Sequence, residues 1–296
     1  MIIHSVHLSN RMAEYNIGAR MAAATRCGFL LCPLMRTWHL QSDTTHNMNQ
    51  TTYRMDSTLA FFVEEIRREP PILPVTEFSD PVASHHHFKF RIAQNHHHHN
   101  SANKLIDRMY SWRGYETGRI MAHGMDKTTI IAYSNENAVG TLSISSDSDM
   151  GLLADQLYHE ELNALRSQGC SLCEFRGLAV DDGIRSKRML ASLFHIGYLY
   201  PYCTSHHTDG VLEVNPRHAG FYEKRLGFTR IGPEKICHRV NAPAVLMRTN
   251  FSYMAEQVKG FGGLMDEAID EKSLYPYFFS EAEETEILDR LINCSS

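Results

Sequence analysis

Long apolar stretches are missing from this chain. The longest uncharged apolar run near its start, Cys27 to Met35, falls far short of the roughly 20 residues that span a bilayer and contains Pro33. No integral membrane segment is expected. The leader before that run has no small-residue cleavage site, so no secretion signal is read. A charge excess is missing too. The 29 basic and 34 acidic residues give a net charge of -5, which makes no broad positive field for nucleic acid or an anionic membrane. Cysteine is sparse, seven residues, an odd number scattered along the chain, which fits reduced thiols in a cytoplasmic protein. Cys170 and Cys173 form a CxxC, but they open a strand-like apolar stretch and are read as core thiols. Metal-ligand spacing is also lacking. His85 to His87 and His96 to His99 are consecutive, and neighbours in regular structure point in different directions, so these runs are read as solvated loops and no metal is expected.

What is present supports a folded domain. A hydrophobic fraction of 43% in 296 residues is enough for a sizeable core. Residues 1–83 carry few regular patterns beyond one amphipathic stretch, Ser57 to Arg68, before the breakers Pro70, Pro71 and Pro74, and are read as a partly ordered N-terminal extension. The alternation of Phe88 to Ile92 predicts a half-buried strand. Lys104 to Trp112 places Leu105, Ile106, Met109 and Tyr110 on one helical side. Thr128 to Ser134 and Val139 to Ser145 predict a hairpin across Asn135 to Ala138. A helix over Leu152 to Arg166, closed by Gly169, a strand over Cys173 to Val180 and a helix over Arg185 to Tyr198 follow. Ala242 to Thr249 is a last strand. Beyond it a helix to about Gly260 and a Glu-rich helix over Glu281 to Ile292 predict a helical C-terminal extension, residues 252–296.

Between these lies the stretch that organises the rest, Gly210 to Phe228. Val211 to Asn215 read as a strand, Asn215 as a helix N-cap, Pro216 as a first-turn residue that needs no amide donor, and Gly227 as a left-handed C-cap. Tyr222 on that helix is either a core tyrosine or a proton donor; spacing alone does not choose. Glu174 and Arg176 stand two apart on one strand face, which allows either a plain ion pair or a carboxylate kept for proton transfer. Arg185, Lys187 and Arg188 crowd a helix start, the wrong sign for the helix dipole unless an anion sits nearby or water solvates the face.

The order of elements, with Asn215 and the Phe221-Tyr222 to Leu226-Gly227-Phe228 signature, resembles the GNAT acyltransferase fold. That fold is α/β (α+β), with a mixed, mostly antiparallel sheet flanked by helices. Residues 84–251 form the expected acyltransferase domain. The span from about Phe88 to Phe251 resembles more closely the N-acyl amino acid synthase family, relatives of acyl-homoserine-lactone synthases. The matching stretches are Met109-Tyr110-Ser111-Trp112-Arg113-Gly114-Tyr115, Glu174-Phe175-Arg176-Gly177-Leu178-Ala179-Val180, Val214-Asn215-Pro216-Arg217-His218-Ala219-Gly220-Phe221-Tyr222 and Arg239-Val240-Asn241-Ala242-Pro243-Ala244-Val245-Leu246-Met247.

The resemblance implies transfer of a long acyl chain from an acyl carrier protein thioester to the amine of an amino acid. No tightly bound cofactor is implied, and acyl-phosphopantetheine or acyl-CoA serves as the donor. It implies Glu174 as base and Tyr222 as donor to the leaving thiolate. Arg176, Asn215 and the strand edge at Leu178, Ala179 and Val180 would meet the substrate. Arg113 and Tyr115 are candidates for the acceptor carboxylate, unless they belong to an exposed Arg-Gly loop. Arg185, Lys187 and Arg188 would meet the acidic carrier or its phosphate. Phe194, Tyr198 and Leu246 are candidate walls of an acyl tunnel. One departure stands out. Where ordinary GNAT enzymes wrap the coenzyme A pyrophosphate with a glycine-rich loop, this chain has Arg185-Ser186-Lys187-Arg188-Met189, which keeps backbone amides further from a diphosphate. That weighs against a coenzyme A-dependent acetyltransferase; a non-catalytic acyl-binding module is the other alternative.

Overall fold

The computed structural model describes residues 75–80, 86–111, 127–267 and 270–294. Arg113, Tyr115 and the stretch Ser57 to Arg68 lie outside the described residues. Among those described, strands β1 (Thr76–Asp80), β2 (His86–Ile92), β3 (Lys127–Ser134), β4 (Asn137–Ser146), β5 (Leu172–Val180), β6 (Asp209–Val214), β7 (Thr229–Arg230), β8 (Lys235–Cys237) and β9 (Ala242–Asn250) run in the order β1-β2-β3-β4-β5-β6-β9-β7, with β8 paired to β9. Every ladder is antiparallel except β5 with β6. This is the mixed, mostly antiparallel sheet that the resemblance implies. β1 lies before the boundary expected at residue 84, yet it pairs with β2 from Thr76 opposite Phe90 to Asp80 opposite His86 and so belongs to the sheet.

The β3–β4 hairpin is tighter than the sequence predicts. Asn135 and Glu136 both take positive φ, 48° and 61°, the backbone of a two-residue turn whose twist suits the strands, and pairing resumes at once with Ser134 opposite Asn137. β5 carries a bulge. Its register with β4 passes from Arg176 opposite Ser143 to Ala179 opposite Thr141, so β5 holds one extra residue, and Gly177 at φ 62° supplies the left-handed backbone there.

Helices α1 (His96–Ser111), α2 (Asp155–Ser167), α3 (Lys187–Thr204), α4 (Pro216–Leu226), α5 (Phe251–Phe261) and α6 (Glu281–Cys294) flank this sheet. α1 starts eight residues before the expected Lys104, because Asn95 accepts from the His98 amide and caps it. The second histidine run is therefore the first turn of a helix, and His86 and His87 of the first run lie in β2; neither is a loop, whereas His85 lies outside the described residues. α3 begins at Lys187 with Ser186 as its cap, so Arg185 precedes the helix. α4 keeps the predicted form, with the Asn215 side chain accepting from the Arg217 amide and Gly227 at φ 72° closing the end.

α3 is buried along most of its length, including Met189, Leu193, Phe194, Ile196 and Leu199. Burying each such side chain is worth about 1.5–3 kcal/mol against solvent exposure, which explains how a helix with Pro201 inside it stays intact. Phe278, Phe279, Ile287 and Leu291 from the C-terminal segment join the same core. His195 fastens them: its Nδ1 accepts from the Phe279 amide at 3.0 Å, and its ring stacks on Phe278 and Phe279 at 4.8 and 5.3 Å.

Candidate active site

The parallel pair of β5 and β6 is short. Leu172, Cys173 and Glu174 pair with Asp209, Gly210 and Val211, and there the ladder ends, although β5 continues to Val180 and β6 to Val214. The bulge at Gly177 bends β5 beyond this point. Where the strands part, a cleft of about 330 Å³ opens, lined by Glu174, Arg176 and Leu178 from β5, Glu213 and Val214 from β6, Asn215 and Tyr222 at α4, and Cys237 and Arg239 beyond. Phe194 and Leu142 also reach it.

Glu174 occupies the vertex. Its Oε2 accepts from the amides of Leu153, 2.7 Å, and Ala154, 3.3 Å, in the turn before α2. The side chain is only 2% exposed. Burial pushes its carboxyl up to about 7, against the pull of Arg176 and the Ala154 and Leu153 amides, with Glu213 adding to the rise. At neutral pH this group exchanges a proton readily. Tyr222 is packed edge-on by Phe194, Phe221 and Phe228 at 6.2, 5.2 and 5.8 Å. Burial, aided by Tyr110, holds its hydroxyl well above the usual phenol range, so it keeps its proton at neutral pH. A group that takes a proton and a group that holds one therefore line the same cleft.

Of the candidate site residues, the cleft brings together Glu174, Arg176, Leu178, Asn215 and Tyr222. Ala179 instead packs with Leu105, Ile106 and Met109 under α1, and Val180 joins the main core. Of the expected tunnel wall, Phe194 lines the cleft. Tyr198 does not, because its ring is stacked with Tyr202 at 5.3 Å and set against Phe251 at 5.5 Å. Leu246 is buried in a separate cluster with Leu172 and Val211.

The basic helix start is partly occupied from within. Arg188 donates to Glu283 of α6 at 2.8 Å and lies 4.5 Å over the Phe78 ring. Lys187 reaches the Tyr277 hydroxyl at 3.3 Å. Arg185 is exposed. Ser186 accepts from the Met189 amide and donates its hydroxyl to the buried Asp80 carboxylate, so an internal anion already sits at the N-terminus of α3.

Tyr110, Glu213, Cys237 and Arg239 are among the lining residues that the sequence reading does not single out for the site. Tyr110 reads as part of the α1 core, yet its hydroxyl donates to the Leu178 carbonyl at 2.9 Å on the bulged strand. Glu213, an acid inside the run Val211 to Val214, was the visible signal. Its Oε2 accepts from Arg239 at 2.6 Å. Among the described residues no group of three or more His, Cys, Asp or Glu side chains is placed to hold a metal ion.

A mixed sheet whose one parallel pair parts to form a cleft, with a capped helix leading from the second strand, is the architecture of a GNAT-fold acyltransferase. The family model described as N-acyl amino acid synthase FeeM matches residues 101–250, just over half the chain, and the chain belongs to that family. It is an acyltransferase. It is similar to the solved structure of FeeM, an N-acyl amino acid synthase from uncultured soil microbes, at 29% identity over 58% of this chain and 94% of that one, with a TM-score of 0.53. Weaker likenesses are to the AHL synthase LasI, at 14% identity over 56% of this chain and 91% of that one, TM-score 0.41, and to ElaA of Escherichia coli, at 10% identity over 54% and 97%, TM-score 0.41. Among curated proteins none matches.

Proposed function

We propose that this chain moves a long fatty acyl chain from an acyl carrier protein thioester to the amine of an amino acid. The observation that carries the reading is the proton-transfer pair in the parted-strand cleft, Glu174 near neutrality and Tyr222 held protonated. The acceptor nitrogen attacks the thioester carbonyl carbon while Glu174 takes a proton from that nitrogen, directly or through water. Negative charge then develops on the carbonyl oxygen, facing the β5 edge at Leu178, where a backbone donor would hold it. The carbon–sulfur bond breaks, and the departing thiolate receives the Tyr222 proton. Amide and free thiol result, and the proton on Glu174 returns to Tyr222 by way of solvent. Arg176 is the cation in the cleft suited to the acceptor carboxylate, since a guanidinium matches it with two parallel hydrogen bonds. The same role is proposed for Arg113, with Tyr115 covering the site.

The start of α3 favours the carrier over coenzyme A. A diphosphate there would meet the Asp80 carboxylate at the cap and Asp181 and Asp182 in the turn before it. A single phosphate on a carrier's arm, with an acidic carrier surface beyond, asks less of the helix end and fits the cations Arg185, Lys187 and Arg188.

The test is direct. Lipids extracted from a bacterium overexpressing the chain are expected to contain new N-acyl amino acids by mass spectrometry, and these should fade with Glu174→Gln. Their absence with the native chain would sink the reading. With purified protein, kcat/KM should be higher for acyl carrier protein thioesters than for the same acyl group on coenzyme A; the reverse order would overturn the choice of donor.

A further inference from the structure

Arg239 stands in the turn after β8, lines the cleft and is joined both to strand β6 and to the segment at the start of α2. Its Nη2 donates to Glu213 at 2.6 Å, and its Nη1 to Gln156 Oε1 at 3.0 Å, with the Leu153 carbonyl at 3.5 Å. Leu153 is the residue whose amide holds Glu174 at 2.7 Å. The turn from Leu152 to Ala154, with the first residues of α2, is thus gripped on two sides. Away from the cleft, the Leu152 amide donates to Asp155, Asp155 is held by Arg166 through two 2.7 Å hydrogen bonds, and Arg166 is held in turn by Asp147. On the cleft side the grip is Arg239, itself fixed by Glu213, and both side chains are largely buried at 18% and 10% exposure.

We infer that Arg239, locked by Glu213, is a positioning residue for the reaction: it fixes the turn whose amides aim and ionise the Glu174 carboxylate. This rests on Glu174 being the base. The physical reason is that hydrogen bonds to an ionised carboxylate favour the ionised form only while the donors stay in place, and a turn released into a buried site lets the carboxyl keep its proton. A guanidinium suits the task because its rigid fork spans two acceptors at once, whereas an ammonium on a flexible stem reaches one. The charged and titratable groups that share the cleft with Glu174 are Arg176 on its own strand, Glu213 on β6, Arg239 with Cys237 from the β8 side, Tyr222, Arg217 and His218 from α4 and Tyr110 from α1, with Cys173 next to it on the strand. Arg176 influences the carboxylate by charge, Arg239 by holding its partners.

The experiment measures kcat/KM for acyl transfer against pH in the full chain and in Arg239→Lys, Arg239→Gln and Gln156→Ala, with thermal unfolding of each. In both Arg239 variants the acid limb is expected to move up by about one pH unit, so the rate drops about fivefold at pH 7 and about tenfold further down the acid limb, while the alkaline plateau stays within about threefold. Gln156→Ala, which leaves the cleft lining intact, should move the limb the same way by a smaller amount. If the limb stays put in every variant, the inference is wrong. It is equally wrong if only Arg239→Gln shifts and Arg239→Lys does not, because charge rather than placement is then the cause. An undiminished rate in Glu174→Gln overturns the base assignment itself, a result distinct from either.

Discussion

Glu174 and Val211 face each other across the last rung of the parallel ladder between β5 and β6. One step further the strands part, so the carboxylate sits at the point where a sealed sheet becomes an open cleft. That position reconciles two needs. The side chain is buried enough to be pushed up to about 7, yet it lines the cleft.

The first prediction concerns pH. A base with a pKa of about 7 makes kcat/KM rise through that pH, and Glu174→Gln should remove this limb and lower the rate at least about a hundredfold. Stability should move the other way. The folded pKa lies above the unfolded one, so burying this carboxyl is harmless below about pH 4.5, becomes unfavourable as pH rises toward 7, and reaches on the order of 3 kcal/mol above it. Urea unfolding should therefore find Glu174→Gln more stable than the native chain at about pH 8 and nearly equal at about pH 4. An equal or lower stability at the higher pH would show that the carboxylate is not strained by burial.

Tyr222→Phe isolates one hydroxyl. The ring contacts with Phe194, Phe221 and Phe228 are kept, so the melting temperature should barely change. If the hydroxyl protonates the departing thiolate, kcat should fall about a hundredfold with a natural thioester and much less with a thiol leaving group of low pKa. Equal losses with both donors would leave Tyr222 as packing alone.

The C-terminal segment should loosen when His195 is replaced. His195→Ala removes the acceptor for the Phe279 amide and the ring stacked on Phe278 and Phe279, and should cost about 2–4 kcal/mol. Hydrogen exchange should quicken first at Phe279. Burial is the main cause that lowers the His195 pKa, with Glu284 opposing it, so the native chain is stabilised by the neutral ring above the ordinary histidine pKa. That contribution is lost as pH falls from about 6.5 through the lowered value. Over that range the stability difference between the native chain and His195→Ala should shrink as pH falls; a difference that stays constant would mean that His195 does not titrate there.

Much of the fold was legible because its signals are local. Asn215, Pro216 and Gly227 define α4 through cap chemistry that depends on a few neighbouring residues, and the two strand-like runs on either side of Asn135 to Ala138 announce a hairpin. Element starts were less legible. Nothing in the histidine run at 96–99 reads as a helix until Asn95 is seen to cap it, and Ser186 displaces Arg185 from α3 by the same device. For the site, the family motifs identify Glu174, Arg176 and Tyr222, but Tyr198 and Leu246 read the same as Phe194, since apolar residues on a core helix and on a lining helix obey one periodicity.

The sequence by itself determined the order of elements, the caps, the strand carrying Glu174 and the helix carrying Tyr222, all consequences of backbone geometry and short-range hydrogen bonding. Only the tertiary structure decided where the parallel ladder stops, which of the apolar residues face the cleft, and that Glu213, Arg239 and Leu153 meet beside Glu174. Those three come from distant parts of the chain. Their meeting depends on the bulge at Gly177 and on strand pairing, long-range contacts that no spacing along the chain encodes.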